Sequence, residues 1–514
     1  MRVAFRVDAS PEIGAGHLMR CLVLAQALRG RGVQSHFVCR ALDSRLVQRI
    51  LEGGHRYSGL SLVAACDHDF SSENPPKHGA WLQAPWHKDA SETIELIKTN
   101  SVDWLVVDHY GIDFRWESFL RDHVKKLMVI DDLADRRHAC DLLLDQNLVD
   151  NKDERYQGLI PSNCVSLLGP HYALLQPQYG QLHHCAAPRR PPIKRVLVFF
   201  GGWDQHNLTS VALRALIELS RDDLFVDVVL GGENAFAEEV HSLAHALGNV
   251  AVHRMLPSLS ELMLRADLAI GAGGSASWER LCLGLPTIVI SSANNQVEIC
   301  KELSKRGLID WVGHFDSLAD GALFRALKAA LNSDLHESVS RDCLNVTDGL
   351  GADRVSEILA LRVNTALRIR PARLADKDLL LEWRNDAGVR SRSFQSNLVS
   401  PDDHRKWFLA RLADQTSRIY IVETESGLGI GQVRFERKAD GWEVHYSIAS
   451  FARGMGLGER VLGAAIQYHL SMFPEACVVG KVLTGNSASQ RIFKKLGFQE
   501  YKCPEYSIFK LQTG

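Results

Sequence analysis

Residues 1–21 read MRVAFRVDASPEIGAGHLMRC, and the fold follows from how this stretch divides. An apolar run, Val3–Val7, gives way to a polar loop with two glycines, and an amphipathic segment starts immediately behind His17. That is a strand, a tight turn and a helix, the first unit of a parallel βαβ sheet. Gly14 and Gly16 permit backbone torsions and ligand approach that a β-carbon would block. The segment Leu18–Arg29 places Leu18, Cys21, Leu22, Ala25 and Leu28 on one broad face, and Gly30 and Gly32 end it. Its N-terminus suits an anionic group. A dinucleotide loop would carry a third glycine at position 19, where Met19 stands, and the second strand ends in Cys39-Arg40 without the acidic residue that holds an adenosine ribose. NAD binding is therefore not expected. Two readings of His17 stay open on chemistry alone: a hydrogen-bond donor to phosphate or sugar, or a base for water near neutral pH.

The same alternation continues along the chain. Candidate strands Val33–Cys39, Trp104–Asp108 and Leu127–Asp131 follow, and PRRPPIKR (188–195) then interrupts with prolines at 188, 191 and 192. This segment reads as a linker. Strands Val196–Phe200, Leu224–Leu230, Val250–His253, Asp267–Gly271 and Thr287–Ser291 restart the pattern. Two parallel halves imply a cleft between them. Residues 60–89 lack periodicity and read as a surface insertion, with Trp81 and Trp86 placed to close over a neighbour.

The second half offers a nucleotide site. In GAGGSASWE (271–279), Gly273, Gly274 and Ser275 can present backbone N–H groups to a diphosphate, and Glu279 on the following helix can take ribose hydroxyls or only stabilise the first turn. GLPTIVISSANNQ (284–296) ends in Asn294, Asn295 and Gln296, which suit sugar hydroxyls and amides.

From about Leu367 the pattern changes. IYIVET, GIGQVRF and WEVHYSIA alternate with period two, as an antiparallel meander does. RGMGLG (453–458) then opens a helix, and NSASQRIFKKLGF (486–498) follows a further strand.

At 514 residues the chain exceeds one core and suggests two to four domains. A net charge of −2 gives no basic surface for nucleic acid. No apolar run nears the roughly 20 residues of a membrane span. Arg6 and Asp8 interrupt the N-terminal run, so no signal-peptide core is expected, and a cytoplasmic location is. Eleven cysteines form no CxxC pair, and no metal is expected, His183-His184-Cys185 reading as an exposed linker end.

Six stretches together carry a resemblance. RVDASPEIGAGHLMRC, VVDHYGID (106–113), IDDLADRRHACDLLLDQN (130–147), LLGPHYALL (167–175), FFGGWDQHNLT (199–209) and GAGGSASWER (271–280) are similar to the GT-B-fold UDP-sugar hydrolases of pseudaminic acid synthesis. Those enzymes release UDP from UDP-2,4-diacetamido-2,4,6-trideoxy-β-L-altropyranose. The resemblance implies that His17 positions or deprotonates the attacking water, without a metal and with inversion. It implies that Tyr110 and Asn295 line the sugar site and that Gly202, Asp204 and Asn207 stand at the cleft. Ser275 and Glu279 would hold diphosphate and ribose, and Gln296 would touch substrate. RGMGLG with NSASQRIFKKLGF resembles the two signatures of GNAT acetyltransferases. This implies acetyl-CoA held by Arg453, Gly454, Gly456, Gly458 and Asn486, Glu443 as a base for the amine, and Arg384 near a nucleotide phosphate, as in the N-acetyltransferase of the same pathway. Members of that family carry a tyrosine where Phe493 stands here, which leaves Tyr501 or Tyr506 as proton donors.

The expected architecture is α/β, two Rossmann-like domains in a GT-B arrangement (1–187 and 188–362) followed by an α+β GNAT domain (366–514). The expected activity is bifunctional, 4-N-acetylation of a UDP-amino-sugar and then hydrolysis of the product. A GT-B glycosyltransferase and a UDP-sugar-binding protein without turnover are the alternatives.

Overall fold

The structure, a computed structural model, describes residues 1–40, 42–61, 75–98, 101–152, 154–232 and 234–511. Residues 62–74 of the expected insertion lie outside the described residues. Two compact units divide the chain, Met1–Leu359 and Ala360–Gly514.

The first unit contains two sheets. Strands β1 (Arg2–Val7), β2 (Gln34–Arg40), β3 (Arg56–Leu60), β4 (Trp104–Asp108), β5 (Lys126–Ile130), β6 (Leu142–Asp145) and β7 (Val165–Leu168) lie in the order β3-β2-β1-β4-β5-β6-β7. All neighbours are parallel. Every residue of β4, WLVVD, is buried, as expected of a strand covered on both faces. The chain starts mid-sheet, moves out to β3, and returns to the other side of β1 as β4. Loops leaving the carboxyl ends of β1 and β4 therefore diverge, and the crevice between them is where such sheets bind ligands. Val7 and Asp108 are register partners across this point.

The second sheet repeats the scheme. Strands β8 (Arg195–Phe199), β9 (Phe225–Leu230), β10 (Val250–Arg254), β11 (Leu268–Ala272), β12 (Thr287–Ser291) and β13 (Asp310–His314) run β10-β9-β8-β11-β12-β13, all parallel. Phe199 of β8 pairs with Gly271 of β11, so the loops GGWD and GGS leave side by side. Both sheets are Rossmann-like.

The segment expected as a linker is fixed in place. Arg189 is buried, and its guanidinium donates to the carbonyls of Ala187, Met263, Leu264, Ala266 and Leu283 at 2.9–3.0 Å. Its backbone N–H donates to Ser340 Oγ at 2.9 Å. The prolines do exclude helix and strand, but the arginine between them ties the segment to the second sheet's helices.

The second unit is α+β. Strands β14 (Leu367–Pro371), β15 (Ser417–Thr424), β16 (Gly429–Lys438), β17 (Gly441–Ile448), β18 (Val478–Leu483), β19 (Gln499–Lys502) and β20 (Tyr506–Leu511) form one sheet, β14-β15-β16-β17-β18-β20-β19. All neighbours are antiparallel except β17 and β18. That pair shares register only from Trp442 to Val444 with Val478 to Gly480, although both strands continue further. Beyond Val444 the two strands part and leave a gap in the sheet. Phe435, Val444, Leu462, Ile466 and Phe509 are among the side chains of its core.

Replacing Arg189 by methionine strands these carbonyl acceptors, each worth about 1–3 kcal/mol if left without a donor. The melting temperature of the first unit is expected to fall by several degrees in Arg189→Met, measured by scanning calorimetry. Arg189→Lys, with three donors for these acceptors, is expected to recover only part of it.

Candidate functional site

The carboxyl ends of β1, β4, β5 and β6 gather the charged residues of the first sheet. His17 opens the helix Gly16–Gly30 and is 7% exposed, more enclosed than a residue beside a glycine turn would suggest. Its neighbours explain this. His17 Nδ1 lies 2.6 Å from Asp108 Oδ1, and the ring packs edge-on to Tyr110 with centroids 4.5 Å apart. Asp108 is fully buried. Arg20, one turn after His17, grips the same carboxylate with both arms, Nε to Oδ2 at 2.6 Å and Nη2 to Oδ1 at 2.7 Å. Burial pushes the Asp108 carboxyl up, but the charge of Arg20 and the hydrogen bonds from Arg20 and His17 outweigh it and hold it far below the usual carboxylate range. Asp108 therefore stays an anion, and an anion at Nδ1 requires a proton there. The neutral ring then presents Nε2 as a free lone pair, the form a base must have.

Arg20 Nη1 also donates to Asp132 Oδ2 at 2.9 Å, and the Tyr110 hydroxyl donates to the other Asp132 oxygen. Burial and the neighbouring Asp132 keep the Tyr110 phenol protonated, well above its ordinary pKa. Trp81 stacks on Tyr110 with centroids 5.7 Å apart, and His78 packs against both rings. The described part of the insertion thus covers the sequence-expected tyrosine. Trp86 instead starts the helix Trp86–Ile97 and meets Phe119.

Beside this centre, Tyr156 Oη lies 3.0 Å from Asp131 Oδ2 and 3.1 Å from Asp145 Oδ2. Burial and then the charge of Asp132 push the Asp145 carboxyl up to about 7.

Loops of the second sheet meet the His17 turn. A β-carbon on Gly16 would stand 3.5 Å from Ser275 Oγ, and Gln205 Nε2 donates to the Pro11 carbonyl. Gly14 holds φ +83°, open to glycine. Gly273 is held close to Cys300, whose sulfur would lie 2.2 Å from an added β-carbon. Gly274 lies against Gln296, whose Oε1 accepts from the Ser292 N–H at 2.9 Å. Asn295 is exposed beside it. Glu279 is partly buried next to the Tyr179 hydroxyl, and the surrounding protein pushes its carboxyl up to about 7. Gly202 is exposed, and its carbonyl packs on Gly231. Asp204 and Asn207 have structural partners: Asp204 accepts the N–H groups of Leu208 and Thr209 at 2.9 and 3.0 Å, and Asn207 donates to Glu239 at 2.8 Å. Asp204 caps a helix, so neither of its oxygens is free of the backbone.

In the second unit, the Arg453–Gly458 loop follows the open end of β17. Gly454 and Gly456 hold φ +72° and +77°, and Gly458 abuts Ile492. The Arg453 side chain turns back, paired with Asp386 at 2.7 Å and donating to the Ile448 carbonyl at 3.0 Å, which leaves the backbone of the loop to face a ligand. Asn486 Oδ1 accepts from the Ser489 N–H at 3.2 Å and caps the helix Ser487–Lys495. Phe493 is buried against Gly480, Phe498 and Phe509. Glu443 lies in the paired part of β17 opposite Val479, 3.3 Å from Lys481 Nζ and 3.7 Å from His445 Nε2. Burial first, and then Arg434, push the His445 imidazole down to about 4. Arg384 donates to the Gln395 carbonyl at 3.0 Å. Tyr501 does not reach the gap. It is 46% exposed on β19, separated from β18 by β20, and its hydroxyl bonds Gln499. Tyr506 is on β20 opposite Leu483.

Asp108, Arg20 and Asp132 escaped the sequence reading. Their signal was a carboxylate closing an apolar run, in VVDH and VIDD, with an arginine one helical turn from His17.

Residues 366–499 match the acetyltransferase (GNAT) domain family. Over 98% of its length the chain is 22% identical to 97% of an uncharacterized protein of Methanocaldococcus jannaschii. Over 60% of its length it is 26% identical to 97% of the UDP-2,4-diacetamido-2,4,6-trideoxy-beta-L-altropyranose hydrolase of Campylobacter jejuni. Over 70% it is 25% identical to 98% of the spore coat polysaccharide biosynthesis protein SpsG of Bacillus subtilis. The chain is thus homologous to that hydrolase and to SpsG and also carries a GNAT domain. No helix among the described residues is long and apolar enough to cross a membrane.

Asp145 carries a measurable consequence. A carboxyl whose pKa is higher in the folded than in the unfolded chain binds its proton more tightly when folded. The stability it contributes is present below the ordinary carboxylate pKa and is lost as pH rises toward about 7. Melting curves of Asp145→Asn and the unaltered chain, compared at pH 5 and pH 8, are expected to shift in favour of the variant at the higher pH.

Proposed function

We propose that the chain performs two successive steps on a UDP-sugar: acetyl transfer from acetyl-CoA to an amine in the second unit, and hydrolysis of the sugar–diphosphate bond in the first. The substrate proposed for hydrolysis is UDP-2,4-diacetamido-2,4,6-trideoxy-β-L-altropyranose, and for acetylation the corresponding 4-amino precursor. The observation that carries the reading is the contact of His17 Nδ1 with the buried Asp108 carboxylate, itself clamped by Arg20.

In the first unit, His17 Nε2 takes a proton from water as its oxygen attacks the anomeric carbon. The bond from that carbon to the UDP oxygen breaks, UDP leaves, and the configuration inverts. Asp108 stabilises the imidazolium that forms, and Arg20 prevents the carboxylate from taking the proton itself. Backbone N–H groups of Gly273, Gly274 and Ser275 receive the diphosphate, Glu279 the ribose, and Tyr110, Asn295 and Gln296 the sugar. The reaction needs only dipoles and a neutral base, so it proceeds without a metal. Gly14 and Gly16 leave room for the diphosphate where the two loops meet.

The second unit fits acetyl-CoA through its own residues. The loop from Arg453 to Gly458 offers backbone N–H groups with two glycines at positive φ, directly beside the gap between β17 and β18. Bound there, acetyl-CoA supplies an activated acetyl group. Glu443, one residue before the end of the paired segment, accepts the proton released by the attacking amine, and Arg384 receives a nucleotide phosphate. The location proposed is the cytoplasm, where both UDP-sugar and acetyl-CoA are found.

His17→Ala is expected to abolish UDP release from the diacetamido UDP-sugar and leave CoA release from acetyl-CoA plus the 4-amino UDP-sugar unchanged, both followed by chromatography. Asp108→Asn, which allows the wrong tautomer, is expected to lower UDP release about 100- to 10,000-fold. Unimpaired hydrolysis in His17→Ala, or UDP release that requires an added acceptor alcohol, contradicts the assignment.

A further inference from the structure

The GNAT reading leaves one proton unassigned. When an amine attacks the thioester carbonyl and the tetrahedral intermediate collapses, the C–S bond breaks and the CoA sulfur leaves as a thiolate. The family resemblance places a tyrosine at position 493 for this proton, and this chain has a phenylalanine there, buried in an aromatic cluster. Tyr501 is two strands away, at the sheet edge.

A different hydroxyl stands at the gap. Tyr446 lies on β17 two residues beyond Val444, the last position paired with β18. Its hydroxyl reaches Ser489 Oγ, 2.7 Å away, on the helix Ser487–Lys495 that follows β18. It therefore joins the two sides of the gap where the strands have parted. Its ring lies 6.1 Å from that of Phe493, and Ser489 is one helical turn before Phe493. Along β17, Trp442, Val444, Tyr446 and Ile448 share the face packed into the core, and Glu443 and His445 point to the other. Base and acid thus fall on opposite faces of one strand, the acid beyond the point where β18 parts from it.

We propose that Tyr446, oriented by Ser489, is the general acid that protonates the departing CoA thiolate. The inference rests on the acetyltransferase reading of the second unit. The Tyr446 proton passes to sulfur as the C–S bond breaks. The amine proton goes to Glu443, and solvent exchange restores both groups, so the sum is amine plus acetyl-CoA giving amide plus CoA. Ser489 is suited to orient the phenol because its own backbone N–H is held by the Asn486 side chain. Burial raises the Tyr446 phenol above its ordinary pKa, which keeps the proton available near neutrality.

The test uses the full chain and two readouts. In calorimetry the unaltered protein is expected to bind CoA several-fold more tightly than desulfo-CoA, and Tyr446→Phe is expected to lose this preference. With acetyl-CoA and the 4-amino UDP-sugar, kcat is expected to fall about 100-fold in Tyr446→Phe, with KM for acetyl-CoA unchanged. Ser489→Ala, which keeps the phenol and removes its partner, is expected to fall about 5-fold, and it carries the test should Tyr446→Phe not fold. Tyr446→Phe with both the sulfur preference and kcat intact overturns the proposal while the acetyltransferase reading stands. An unaltered protein that binds neither CoA nor acetyl-CoA overturns both.

Discussion

The Asp108 carboxylate is the contact on which the first unit's chemistry depends. A fully buried anion is costly unless its partners satisfy both oxygens. Here Arg20 bonds both, His17 shares one, and even the Cys21 thiol points at the other from 3.5 Å. All three partners come from the start of one helix, so the charge on β4 dictates how the helix Gly16–Gly30 sits on the sheet. Removing Arg20 would leave both Asp108 and Asp132 without their cation, a far larger loss than that of an exposed ion pair. The same constraint that packs the helix also selects the His17 tautomer.

A second buried network supports the first from below. Arg6 donates to Asp8 at 2.6 Å and to both oxygens of Asp89, at 3.0 and 2.7 Å. Arg40 bonds Asp89 at 2.8 Å and its backbone N–H donates to Asp8 at 2.7 Å, while Trp116 Nε1 donates to Asp89 at 2.9 Å. His109 Nε2 lies 3.3 Å from Asp8. These groups tie the ends of β1, β2 and β4 to the helix Trp86–Ile97. Because Asp8 directly follows Val7, the register partner of Asp108, any shift of one network moves the other. A charged scaffold of this kind holds a site within the fraction of an ångström that a positioned base requires.

Much of this was legible in the sequence, and the reasons for the rest are specific. Apolar runs bounded by glycine gave β1, β4, β8, β11 and β12 to within a residue, because buried parallel strands read as continuous hydrophobic stretches. Strands β3, β7 and β13 are half polar or short and carry no such run, as RYSGL shows. PRRPPIKR was legible as non-helical, but five carbonyls converging on Arg189 come from residues 187 to 283 and leave no local trace. The turn around His17 was recognisable and its burial was not, since the groups that enclose it lie about ninety residues away. In the second unit, Phe493 was visible as a departure from the signature. The hydroxyl at the gap was hidden, because Tyr446 in an alternating strand looks like any core aromatic until β18 parts from β17.

The central claim is that Asp108 holds neutral His17 with its proton on Nδ1 and its lone pair on Nε2. Long-range ¹H–¹⁵N correlation spectra of the imidazoles, collected on the full chain at mildly alkaline pH, read that tautomer directly. The account predicts the Nδ1–H form for His17 in the unaltered protein and its loss in Asp108→Asn. An Nε2–H form for His17 in a protein that hydrolyses the UDP-sugar at full rate would contradict it.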